Sequence, residues 1–239
     1  IVSAFCAPLP LMVIADALGL PREAAPQIKA WSDAMSLIRG NLAAEPELLE
    51  AARLVVDCQR RLLDLCAERR AAPRDDLVTG LALARLDGGG RSLNDAELLS
   101  ILVQLMVAGN ESCTNAMAGG VRRLAEDPDL ASAILGDARA ARVFVEEVIR
   151  LESPAQGNFR KAVADAEIGG RPVPAGAMVH VRWASANRDE QVFPDPDRID
   201  LQRRNPTAHV GFGGGPHFCV GASLGRMELR VGLTRLAAR

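Results

Sequence analysis

The stretch LLSILVQLMVAG, residues 98–109, is apolar on almost every side of a helix. A helix of that kind is stable only where other elements cover it, so the chain is expected to fold around it. It opens on Asn94-Asp-Ala-Glu97, a capping residue with an acid three positions on, which gives acceptors to orphan amides of the first turn. The flanking sequence is also helical in pattern. Ile14 and Leu18 lead to a break at Gly19-Leu20-Pro21, and Ile28, Trp31, Met35 and Ile38 recur at helical spacing up to Gly40 and Asn41. A long amphipathic helix is predicted from about Glu47 to Arg70, a loop at Asp87-Gly-Gly-Gly-Arg91, and two further helices at about 128–135 and 138–151. From Ser153 the texture changes: AEIGGRPVPAGAMVHVRWA, 166–184, alternates and turns like a small antiparallel sheet. A coil from Asn187 to Gly215 follows, and then a helix from Ala222 to Arg239.

Composition excludes several classes of protein. The 239 residues are 49% hydrophobic and 24% charged, as in ordinary soluble globular chains, and the net charge of −2 exerts no pull on nucleic acid. Apolar runs such as LPLMVIA are too short to span a bilayer, and no basic segment precedes an apolar core at the start, so the expected location is cytoplasmic with no membrane partner. The chain begins at Ile1 inside an apolar segment and stops within a helical pattern, which reads as a piece of a longer protein. Its five cysteines, Cys6, Cys58, Cys66, Cys113 and Cys219, show neither a CxxC pair nor zinc-like grouping with histidine. Four lie in helical patterns and read as small core hydrophobes.

Cys219 differs, because it sits in FGGGPHFCVG, residues 212–221. Glycines on its approach and a helix starting near Gly221 would aim backbone amides and the positive end of a helix at a thiolate. With no second cysteine or histidine at ligand spacing, a metal held here would have to bring its remaining ligands along, as haem iron does. Glycines would admit a flat porphyrin, and His217 with an arginine could meet its propionates. The alternative is a glycine-rich turn holding an incidental cysteine.

Two further patterns stand out. Glu147 and Arg150 are three apart on one helix face, a spacing that is common on solvated helices and is made ambiguous by the adjacent Glu146. If buried, such a pair needs another polar group to complete it. Ala108-Gly-Asn-Glu111-Ser112 interrupts the apolar helix: the hydroxyl could take a backbone carbonyl, open the helix and leave a groove for a small ligand and water. The alternative is a polar kink packed on another helix.

FGGGPHFCVG resembles the haem-binding signature of the cytochrome P450 family, with Phe212, Gly213, Gly215, His217, Cys219 and Gly221 on motif positions. Three other family motifs occur in order, and the similarity runs from Ile1 to Arg239. The resemblance implies a mainly α fold with small β-sheets, the P450 fold in incomplete form, because relatives carry a large N-terminal portion and closing strands besides. It implies one helix-rich haem-binding domain over 1–239: mostly helical to 152, short strands and coil over 153–218, helix over 219–239. It also implies haem b with Cys219 as the thiolate ligand of iron, Gly109 and Arg160 beside the cofactor, and Arg203 completing a structural pair of Glu147 and Arg150. Glu111 and Ser112 match the catalytic acid and alcohol of the oxygen-activation groove, although most relatives have Thr in place of the serine.

The implied function is that of a bacterial-type monooxygenase. It would insert one atom of dioxygen into a small organic substrate with electrons from a ferredoxin-type donor, ultimately from NAD(P)H. Residues near Met106 and Ala108 and the segment Ser153–Asn158 would line the substrate pocket. Arg226, Arg230, Arg235 and Arg239 would offer a basic face to the donor, unless they simply solvate a helix. His180 and His209 read as satisfied structural histidines, and Asn187-Arg188-Asp189 as structural. The competing reading is a truncated or non-catalytic haem-binding module without monooxygenase activity.

Overall fold

Helices α1 (Pro8–Ala17), α2 (Ala25–Gly40), α3 (Glu45–Ala71) and α4 (Leu77–Ala82) and the first part of α5 (Asp95–Glu126) form the first of two units in the computed structural model, Ile1–Thr114. The structure describes residues 1–40, 43–86 and 89–239; Asn41 and the Asp87-Gly88 half of the expected loop lie outside them. Arg85 and Ser92 form an isolated antiparallel bridge, and the Leu86 amide donates to the Arg91 carbonyl at 2.9 Å. Asn94 and Glu97 cap α5 reciprocally, the Glu97 amide donating to Asn94 Oδ1 at 3.0 Å and the Asn94 amide to Glu97 Oε2 at 2.9 Å.

Helix α5 is not covered on every side. Leu98, Leu102 and Met106, four apart, are fully buried in the core shared with Ile14, Ile28 and Leu62, whereas Ser100, Gln104 and Ala108 are exposed. The buried stripe is what α1 to α4 can reach, and each such leucine contributes about 1.5–3 kcal/mol relative to an exposed one. Nor does the helix open at 108–112. It runs unbroken, and the Ser112 hydroxyl donates to the Ala108 carbonyl at 2.8 Å as a back-bond within the helix.

Buried polar contacts help tie this unit together. Trp31 buries its ring and donates its indole N–H to Asp57 at 3.0 Å. Arg69 and Asp76 form a buried ion pair, and Arg69 also donates to the Gly19 carbonyl at 2.9 Å, joining the end of α3, the start of α4 and the turn after α1.

The second unit, Asn115–Arg239, contains the rest of α5, α6 (Pro128–Gly136), α7 (Ala138–Glu152), α8 (Trp183–Ala186), α9 (Ala222–Ala237) and four short strands. Strands β1 (Asn158–Lys161) and β4 (Met178–Val181) pair antiparallel, with Phe159 opposite His180 and the two rings stacked at 4.3 Å. Strands β2 (Ala166–Ile168) and β3 (Arg171–Val173) form a hairpin whose Gly169-Gly170 turn has both φ values positive, as a two-residue loop between right-twisted strands requires. Helix α7 is the element buried on almost all sides, charged residues included. Among the described residues no helix is long and apolar enough to cross a membrane.

Gly109 has a packing reason that sequence does not show: a Cβ there would stand 2.4 Å from Ile14 Cδ1. Gly109→Ala is therefore expected to destabilise by about 1–3 kcal/mol through overpacking. Adding Ile14→Val, which removes that methyl, should recover most of the loss in urea unfolding. Additive losses in the double variant would contradict the contact.

Candidate functional site

The second unit is organised by a buried charge cluster on α7. All five N–H groups of Arg150 are used: Nε and Nη2 donate to the two oxygens of Glu147 at 2.8 and 3.0 Å, and the others reach the carbonyls of Asn187 (3.0 Å), Pro196 and Arg198 (3.0 Å). Glu147 also accepts from Arg203 Nε at 2.8 Å and from the Asp200 amide at 3.0 Å, so four donors fill its lone-pair positions. Both side chains are fully buried, and Arg203 is nearly so. Two guanidiniums against one carboxylate leave a surplus positive charge. The face of the buried Phe193 ring lies 5.2 Å from Arg150 and 5.7 Å from Arg203 and partly balances it.

The end of α7 is held as firmly. Ser153 stops the helix in a left-handed conformation, φ 39° and ψ 68°, which costs about 1–3 kcal/mol in a residue other than glycine. Its hydroxyl donates to the Arg150 carbonyl and accepts from the Asn187 side chain, while Asn187 Oδ1 accepts the Val210 amide at 2.8 Å. Arg188 donates to the Leu151 carbonyl at 2.6 Å. Through these contacts α7 holds the coil leading to the cysteine loop.

The loop itself closes on one bond, the Cys219 amide donating to the Phe212 carbonyl at 2.9 Å. Gly213 and Gly215 take φ values of +72° and +64°, which side chains resist, and His217 ends an exposed turn at Gly215–His217. Helix α9 begins one residue past Gly221. Cys219 is exposed, whereas Cys6, Cys58 and Cys66 are buried and burial pushes the Cys58 thiol up to about 12. Those three fit the reading of core hydrophobes.

The loop residues fit haem. A Cβ built on Gly214 or Gly215 meets nothing within 4 Å, so that face of the loop is open to a flat ring. Phe218 and Val220 stand exposed on either side of the thiol and offer apolar surface. Among the described residues no group of three or more His, Cys, Asp or Glu could hold a metal ion, so an iron at Cys219 must carry its other ligands with it.

The remaining expected residues are placed as follows. Arg160, on β1, is exposed and donates to the carbonyl of its neighbour Phe159 at 3.0 Å. Gly109, Glu111 and Ser112 belong to the first unit; Glu111 and Ser112 are exposed, and Glu111 accepts from the Ser36 hydroxyl at 3.4 Å. Glu146 had no assigned role from sequence, and its partners His209 and Arg226 lie 63 and 80 residues away, beyond any local pattern. Arg226 donates to Glu146 at 2.6 and 3.0 Å and lies over the Phe212 ring at 4.4 Å. It is thus held within the unit and does not stand free on a basic face.

The sequence profile described as Cytochrome P450 matches residues 48–238. The chain belongs to the cytochrome P450 family. It is 38% identical over 234 residues to an erythromycin C-12 hydroxylase of Saccharopolyspora erythraea, covering 97% of this chain and 58% of that protein. A methyl-branched lipid omega-hydroxylase of Mycobacterium bovis is 37% identical over 238 residues, covering 99% and 55%. The ligand-free structure of cytochrome P450 TbtJ1 superposes with a TM-score of 0.90 at 36% identity, covering all of this chain and 62% of that one. The chain therefore has the P450 fold in incomplete form and spans less than two thirds of the length of these relatives. The family implies a haem iron held by a cysteine thiolate.

Burial pushes the carboxyls of Glu146 and Glu147 up, but hydrogen bonds outweigh it and hold both below the ordinary value of 4.5. For Glu146 the donors are His209 and Arg226; for Glu147 they are Arg150, the Asp200 amide and Arg203. Carboxylates more acidic in the folded state contribute stability that is present above pH about 4.5 and is lost as pH falls through their folded-state values. Glu147→Gln should cost about 3–5 kcal/mol at neutral pH, since it leaves buried arginines unmatched. It should also remove part of the acid-side loss seen in urea midpoints between pH 7 and 3. A variant with the parent's neutral-pH midpoint would contradict the cluster's role.

Proposed function

We propose that the intact protein is a haem-thiolate monooxygenase that inserts one atom of dioxygen into a small organic substrate. The observation that carries this reading is the exposed Cys219 on an open, glycine-bent loop secured to α7 in a chain of the P450 family. The names of two relatives as hydroxylases support the reaction class. When bound, haem b supplies dioxygen activation and oxygen transfer.

In this reading the chain's own residues bind, orient and move protons. Cys219 would hold the iron through its thiolate, the bends at Gly213 and Gly215 and the turn at Gly221 would leave room for the cofactor, and Phe212 would anchor the loop. Arg160 and His217, both exposed, are available to meet its carboxylates. Glu111, next to Ser112 in the sequence and exposed, would relay protons there. The Ser112 hydroxyl spends its own hydrogen on the Ala108 carbonyl, so its lone pairs remain free to accept one from water. Gly109 lies three residues earlier on the same helix, where the Ile14 side chain packs against it.

Electrons would come from a ferredoxin-type donor, ultimately from NAD(P)H. A cavity of about 400 Å³ between α7 and α9, lined by Arg142, Arg226, Arg230 and Ser223 among others, supports an acidic partner. Arg142 and Arg230 are exposed there and are the cations available for it. The expected location is the cytoplasm.

Glu111→Gln in the intact protein tests this reading against a non-catalytic haem module. Product formation should fall by about 10²-fold or more while haem content and spectrum stay those of the parent. Turnover equal to the parent's would sink the assignment of Glu111.

A further inference from the structure

Glu146 lies beside Glu147 on α7 but faces a different set of partners, and the reaction outlined above makes no use of it. Its Oε1 accepts from Arg226 Nε at 2.6 Å and its Oε2 from Arg226 Nη2 at 3.0 Å, a two-pronged pairing that fixes orientation as well as distance. Oε2 is also 3.0 Å from His209 Nε2. The other ring nitrogen, His209 Nδ1, accepts the Gly211 amide at 3.1 Å, so the proton sits on Nε2 and points at Glu146.

These contacts grip both feet of the cysteine loop. On the approach side, His209 and Gly211 immediately precede Phe212, and a Cβ on Gly211 would stand 2.7 Å from Ile149 Cγ2, so the strand of coil is pressed against α7. On the exit side, Arg226 lies in the second turn of α9. Its guanidinium covers the Phe212 ring at 4.4 Å, and the Phe212 carbonyl is the acceptor of the Cys219 amide. One carboxylate therefore fastens His209 ahead of the loop, the helix after it and, through Arg226, the ring of Phe212, whose backbone carbonyl accepts the Cys219 amide.

We propose that Glu146 is a positioning residue for the Cys219 thiolate, acting through Arg226 and Phe212. The proposal rests on the reading of Cys219 as the haem ligand. Outer partners of metal ligands of this kind set ligand orientation and the strength of the metal bond. Glutamine at 146 would keep the shape of the side chain, yet its NH₂ group would face the donors of Arg226 or His209. Lysine at 226 would keep the charge but lose both the fork and the flat surface over Phe212.

The test uses the intact haem-loaded protein, with haem affinity and the iron–sulfur stretch in resonance Raman as readouts. Glu146→Gln should lower haem affinity by about 10- to 100-fold and shift the iron–sulfur stretch. Arg226→Lys should shift the stretch in the same direction, which keeps the proposal testable if the glutamine variant does not fold. Glu152→Gln, on the same helix but paired with Arg122 and Arg123, serves as the control for general destabilisation and should leave the stretch unchanged. An unshifted stretch in both Glu146→Gln and Arg226→Lys, in a protein whose stretch disappears on Cys219→Ala, would overturn the proposal alone. A stretch that survives Cys219→Ala would overturn the haem-ligand reading beneath it.

Discussion

The pairing of Glu147 with Arg150 inside α7 is the interaction on which the second unit depends. Taking these charges out of water is costly, and the structure offsets that cost by giving every N–H of Arg150 an acceptor and every lone-pair position of Glu147 a donor. Three of the acceptors are carbonyls at 187, 196 and 198, and two of the donors come from 200 and 203. A stretch of chain with almost no regular structure is thereby given a single path. Such a cluster tolerates little substitution, because removing any member strands the rest in a low-dielectric interior.

Rigidity is handed on from this cluster to the cysteine loop in short steps. Asn187 links the end of α7 to Val210, Glu146 holds His209 and Arg226, and Phe212 receives the Cys219 amide. The loop can then expose its thiol between Phe218 and Val220 without depending on packing of its own. Exposure of the Cys219 thiol and burial of its supports are thus separated along the chain.

Much of this was legible in the sequence, and the gaps have physical causes. The helices, the small strands and the cysteine loop follow from periodicity, capping and glycine placement, which are local. The identity of the central helix did not follow. Hydropathy favours α5, whose stretch from Leu98 to Gly109 is greasier, yet α7 is the one buried on almost all sides, because its charges pair with each other and with groups 37 to 80 positions away. Arg203 could be named as a partner only through family resemblance, and Glu146 not at all. The same limit applies to Gly109, whose neighbour Ile14 is distant in sequence, and to Ser112, whose back-bond leaves α5 unbroken where an opening was expected.

The most direct test of the central claim, that this scaffold presents Cys219 as a thiolate to haem iron, is the carbon monoxide difference spectrum of the reduced, haem-loaded intact protein and of its Cys219→Ala variant. The account predicts a far red-shifted Soret band in the parent that vanishes in the variant. A band at the position of histidine-ligated or free haem in the parent, or one that persists without Cys219, would contradict it.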